Sequence, residues 1–145
     1  MASHSNALTR SVPDARASDR VRHHTAPLVN EAIDRQTRAH IAETIAAGRD
    51  AIVMRVRELD DEWDVDRALM LNFAVAGGLS FALGQRYHRG FTYFFCAQLA
   101  FLAMHATAGW CPPLVVFRRL GFRTAKEIAT ERAALVAALD GVTPS

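Results

Sequence analysis

The sequence predicts an all-α protein: a two-helix transmembrane hairpin flanked by a long N-terminal amphipathic helix and a short C-terminal amphipathic helix. Three observations carry this expectation. Of the 17 Lys+Arg and 15 Asp+Glu in 145 residues, only Arg86 and Arg89 lie between Ala68 and Phe117. Within that stretch run two apolar segments, Ala68 to Gly84 and Phe91 to Trp110, which as helices reach roughly 26 and 30 Å against a hydrocarbon core of about 30 Å. The flanks, by contrast, carry apolar residues at helical spacing on an otherwise charged background.

Taken in chain order, residues 1–29 mix Ser, Thr, Pro, His and Arg with apolar residues at no period, which reads as a disordered polar tail. No apolar run of signal-peptide type occurs in the first 40 residues. Residues 30–66 read as one cytoplasmic amphipathic helix, opened by Asn30 as N-cap. Its stripe of Ile41, Ile45, Gly48, Ile52, Val56, Leu59 and Trp63 recurs at steps of three and four and requires a partner. Because the opposite face carries both signs of charge, self-association is expected over a membrane-surface role or docking of the C-terminal helix. Residues 67–117 form the hairpin, and its polar connection, Gln85 to Gly90, turns the second helix back antiparallel. Residues 118–145 form a cytoplasmic helix and tail. Thr124 and Glu127 fit a capping box, so a helix is expected from Ala125 to Leu139, lined by Ile128, Leu135, Val136 and Leu139.

Orientation follows from the distribution of basic residues. Arg49, Arg55, Arg57 and Arg67 precede the first span and Arg118, Arg119, Arg123 and Lys126 follow the second, against Arg86 and Arg89 at the tip. Both termini are therefore expected in the cytoplasm. Trp63 and Trp110 mark the inner interface and Tyr87 and Tyr93 the outer one. Arg118, Arg119 and Arg123 are the expected phospholipid headgroup contacts. A soluble bundle is the competing architecture, but a chain this short has too few other helices to cover two uniformly apolar ones.

Within the first span Asn72, Ala76, Ser80 and Gly84 repeat every four residues, giving a small and polar face for helix packing. Asn72 and His105 lie at matching depth, which predicts a contact between them, with Gln98 on the same face as His105. A lone intramembrane histidine is read as structural, since a proton relay needs further ionisable groups and none lies between Ala68 and Phe117. Cys111, in Gly109-Trp110-Cys111-Pro112-Pro113, is placed at the C-terminal end of the second helix, where the partial negative charge opposes a thiolate. Cys96 is about 22 Å away along one helix and cannot pair with it. The acidic run Glu58, Asp60, Asp61, Glu62, Asp64 and Asp66 is read as a solvated surface rather than a cation site, and His23-His24 alone supplies too few ligands for a metal. No cofactor is expected; haem on His105 is the weaker alternative and requires a coloured preparation. A net charge of +2 of mixed sign gives no basic surface for nucleic acid.

Asp66-Arg67 before the apolar pair, Gly109-Trp110-Cys111-Pro112-Pro113 after it, and Leu120-Gly121-Phe122-Arg123-Thr124 beyond resemble the YgaP-like transmembrane domain family, small bacterial inner-membrane domains of unknown function. The resemblance covers about Asp66 to Thr124. Glu62-Trp63-Asp64, His105, Glu127-Ile128 and Glu131-Arg132 resemble stand-alone members with an N-terminal helix. The resemblance implies a bacterial inner-membrane hairpin that associates as a homodimer. In the namesake the domain is fused to a sulfur-transferase module, so sulfur chemistry attaches to Cys111 only through the resemblance. The leading expectation is an associating scaffold or accessory subunit with a cytoplasmic protein partner and no catalytic residues. The alternative is a thiol-based sulfur or redox accessory acting through Cys111 with His105.

Overall fold

The computed structural model describes residues 20–141, and among these every regular element is helical. After a helical turn at residues 20–23 come α1 (Pro27–Ala47), α2 (Arg49–Asp61), α3 (Val65–Arg86), α4 (Arg89–Ala108), α5 (Pro112–Arg119) and α6 (Ala125–Gly141). Helices α3 and α4 form the expected hairpin, both long and apolar enough to cross a membrane. Helices α1, α2 and α6 pack on one another at its open end, and α5 packs on α3.

The hairpin turns at Tyr87 and His88. The Tyr87 N–H closes α3 onto the Leu83 carbonyl at 2.8 Å, and His88 Nδ1 caps α4 by accepting from the Gly90 N–H at 3.0 Å. Close approach here depends on Gly84, where a β-carbon would stand 2.9 Å from the Thr92 backbone nitrogen. Further in, Phe81 and Phe95 meet at 5.5 Å between ring centroids and Gln98 Nε2 donates to Ser80 Oγ at 3.2 Å. The opposite faces are uncovered: Val75 is 61% exposed, Leu79 59%, Phe94 56% and Leu99 49%.

Two apolar cores sit at the other end. One joins Val21, Val65, Leu69, Phe73, Cys111 and Leu114 at the base of the hairpin. The second joins Ile52 and Leu59 of α2 to Ile128 and Leu135 of α6. A backbone hydrogen bond from the Val65 N–H to the Arg123 carbonyl at 2.8 Å ties the two connections together.

The flanks depart from expectation in four respects. Residues 20–29, assigned to the polar tail, are ordered, and Val21 is buried in the first core; the rest of the tail lies outside the described residues. The first helix opens at Pro27, whose missing N–H is harmless in a first turn. Asn30 instead donates its amide to the Arg22 carbonyl at 2.9 Å. The continuous rod is broken at Gly48, with φ 95 and ψ −176, a region essentially closed to residues with a β-carbon, and again at residues 62–64, where Asp64 Oδ1 caps α3 by accepting from the Arg67 N–H at 2.7 Å. Finally, the stripe on α2 is covered by α6 rather than by another copy, with Ile41 and Val56 packed at the margin, while Ile45 and Trp63 stay exposed. The capping box forms as expected: the Thr124 N–H donates to Glu127 Oε2 at 2.7 Å and the Glu127 N–H to Thr124 Oγ1 at 3.2 Å.

A β-carbon at Gly48 would meet nothing within 4 Å, so substitution there tests backbone conformation alone. Gly48→Ala is expected to lower stability by about 1–3 kcal/mol, measured by denaturant unfolding of the detergent-solubilised protein, and an unchanged midpoint would contradict the glycine-specific break.

Candidate functional site

The chemistry-bearing residues converge where the hairpin meets the flanking helices. Arg118 lies in the last turn of α5 and is only 1% exposed. It forks onto Glu127 through bonds of 2.7 and 2.9 Å, and also donates to the Phe122 carbonyl at 3.0 Å and Asn30 Oδ1 at 2.8 Å. Glu127 is shared with Arg22, which in turn makes a bidentate pair with Asp34 at 2.9 and 3.0 Å. One turn along α6, Glu131 accepts from Arg123 and from Arg55 Nε at 2.9 Å. Arg123 also forks onto Glu62 at 2.6 and 2.8 Å. Arg22 and Arg55, distant in sequence, are thereby joined to Arg118 and Arg123 through two glutamates four residues apart, which share a helix face.

This arrangement corrects the headgroup assignment. Arg118 and Arg123 are buried among carboxylates, because the short turn at Leu120 and Gly121, the latter at φ 91, folds them back onto the first turn of α6. Arg119 remains exposed. Burial works against the charged forms of Glu127 and Glu131, but their hydrogen bonds to arginine outweigh it, and both carboxyls titrate below the ordinary value. Asp34 is lowered by its hydrogen bonds to Arg22.

At the base of the hairpin His105 Nε2 lies 3.1 Å from Asp66 Oδ1; with the carboxylate ionised, the ring donates. The expected Asn72–His105 contact is absent from the hydrogen bonds of the described residues. Residues 66 and 72 are about 120° apart on a helix of 3.6 residues per turn, whereas 73, 77, 80 and 84 each lie within about 40° of 66. Asp66, at the first turn of α3, therefore faces α4, and Asn72 looks into a groove bordered by Trp63, Val75, Phe117 and Phe122. The four-residue stripe divides for the same reason: Ser80 and Gly84 meet α4, while Ala76 shares the groove with Asn72.

Cys111 is fully buried and adjoins the His105 ring, whose Nδ1 is buried without a hydrogen-bond partner. Its helix assignment is corrected: α4 ends at Ala108 with Gly109 in the left-handed conformation, and Cys111 is the N-cap of α5, with the prolines opening that helix. The partial charge facing the sulfur thus has the opposite sign to that expected. Cys96, on α4, is exposed, and both thiols are free. No group of His, Cys, Asp and Glu suited to a metal occurs among the described residues. Asp66 and the buried pair Glu127 and Glu131 were missed as site residues. The signal was present in the carboxylates spaced for one helix face opposite Arg118 and Arg123, but the fold of the intervening turn was needed to use it. No family model, curated protein or solved structure matches the chain.

Breaking a buried pair from one side strands a charge at a cost of about 3–5 kcal/mol. Glu131→Gln and Arg118→Met are each expected to fall in that range by denaturant unfolding, while Arg132→Ala, at an exposed pair with Asp60, stays within about 1 kcal/mol. Since the carboxyls of Glu127 and Glu131 are lowered on folding, their contribution is complete above the unfolded value of about 4.5 and is lost as pH falls through the folded values. Melting temperature is accordingly expected to hold from pH 7 to near 5 and drop below, with Glu131→Gln flattening the acid limb.

Proposed function

We propose that the protein is a small integral membrane protein whose hairpin anchors a charge-locked helical cap on the cytoplasmic face and whose role is association, as a scaffold or accessory subunit. The observation that carries this reading is the outward disposition of the apolar side chains of α3 and α4. Water solvates such a surface at a cost of about 25 cal/mol per Å², whereas lipid solvates it without that cost. The excess of Arg and Lys at the open end supports cytoplasmic termini, because orientation follows basic residues and is little affected by neighbouring carboxylates. The resemblance to YgaP-like transmembrane domains supports a bacterial inner membrane and a homodimer. The mixed-charge outer surfaces of α1 and α6 are the proposed contact for a cytoplasmic protein.

A second reading, thiol chemistry at Cys111, is favoured by the Asp66–His105 pair beside the sulfur. Burial beneath Val21 and Leu114 counts against it. Its test is alkylation in intact membranes, where it requires Cys111 to react faster with a soluble maleimide than a model thiol does; the scaffold reading requires slower reaction.

Topology is tested with single cysteines in a Cys96→Ser, Cys111→Ala background. Arg89→Cys is expected to react with an impermeant maleimide in intact cells, and Ala129→Cys only after lysis. Labelling of residue 89 from the cytosolic side alone would contradict the proposed orientation.

A further inference from the structure

A groove of about 350 Å³ opens on one side of the hairpin, floored by Ala74, Gly77 and Gly78 of α3 and walled by Phe73 and Phe95. Gln98 lines it and is itself only 6% exposed. The Gln98 Nε2 is used, donating to Ser80, but Oε1 is buried with no partner. It lies 3.9 Å from where a β-carbon of Gly77 would stand, so the absent side chain leaves the acceptor directed at the groove floor. An amide oxygen left unpaired in such surroundings is destabilising, and a hydrogen-bond donor in the groove recovers that loss once the Phe95 ring beside it at Gly77 turns aside.

Depth decides what that donor is. Gln98 sits midway along α4 (Arg89–Ala108), about 14 Å from either end at 1.5 Å per residue. In the proposed membrane setting, on which this inference rests, that is the middle of the hydrocarbon, beyond the reach of phospholipid headgroups. A neutral, lipid-soluble molecule does reach it. Two phenylalanines on the walls favour an aromatic ring, and since a cavity of about 150 Å³ holds a benzene, the groove has room for one substituted ring. We propose that this groove is a binding site for a membrane-soluble phenol or hydroquinone, held by donation from a ring hydroxyl to Gln98 Oε1.

The probe is decylhydroquinone, with its dimethyl ether as the analogue that lacks donors. The full chain in lipid nanodiscs is labelled with ¹³C at its methionine methyls. Met70 borders the groove, whereas Met54 lies on α2 and serves as the internal control. Decylhydroquinone is expected to shift Met70 saturably and leave Met54 in place, binding at least tenfold more tightly than the ether. Gln98→Leu is expected to abolish that tenfold preference while weak binding of both compounds persists. Gly78→Leu, at a position where a β-carbon meets nothing within 4 Å, fills the groove and removes both, with helical circular dichroism unchanged. Equal affinity for the two compounds, or a preference that survives Gln98→Leu, overturns the site. So does a Met70 shift that depends on protein concentration without ligand, which marks a second copy in the groove. Failure of the protein to co-elute with the lipid overturns the membrane reading along with it, whereas co-elution with a flat titration overturns the groove alone.

Discussion

The structure depends on one constraint: α3 and α4 turn most of their apolar side chains outward and share only a narrow seam. Along that seam Gly84 and Gly77 let the backbones approach, and inward-facing polar side chains pair across it while leaving Gln98 Oε1 and His105 Nδ1 unpaired. Ser80 meets Gln98 and His105 meets Asp66, so hydrocarbon on the outside is matched by polar contacts between the helices within. In the proposed membrane setting the seam need not supply a hydrophobic driving force, because lipid already solvates the outer faces.

At the open end the problem is reversed. Helices α1, α2 and α6 build a modest apolar core around Ile52, Leu59, Ile128 and Leu135, and buried charge links that core to the base of the hairpin. Two ions taken out of water lose hydration that only good geometry recovers, and here each glutamate accepts from two arginines. Arg118 and Arg123 are the joints: one sits in the last turn of α5 and the other follows the turn after it, and both engage α6, while the Val65–Arg123 backbone bond holds the base of α3. The cap and the base of the hairpin are thereby joined by directional hydrogen bonds.

Much of this was legible in the residues. Charge segregation located the hairpin, and the Thr124-Glu127 pair located the start of α6. The i, i+4 stripe of Asn72, Ala76, Ser80 and Gly84 misled because such a row turns about 40° per step and so wraps from one face to another. The unbroken rod through Gly48 failed because a stripe at steps of three and four does not ensure continuity when a glycine within it takes a positive φ. Burial of Arg118 and Arg123 was hidden because sequence position beside a membrane span describes a surface charge and an inward-folded one equally well. Asp66 escaped notice within an acidic run in which Glu58 pairs with Arg55 and Asp60 with Arg132.

The central claim, that lipid surrounds the hairpin, is tested most directly by the accessibility of spin labels at Leu79 and Leu99 in reconstituted vesicles. Oxygen concentrates in hydrocarbon and a polar nickel chelate in water. The account predicts that both labels collide more with oxygen than with the chelate, and more so than a label at the tip residue Tyr87. Greater collision with the chelate at positions 79 and 99 would place these helices in water and contradict it.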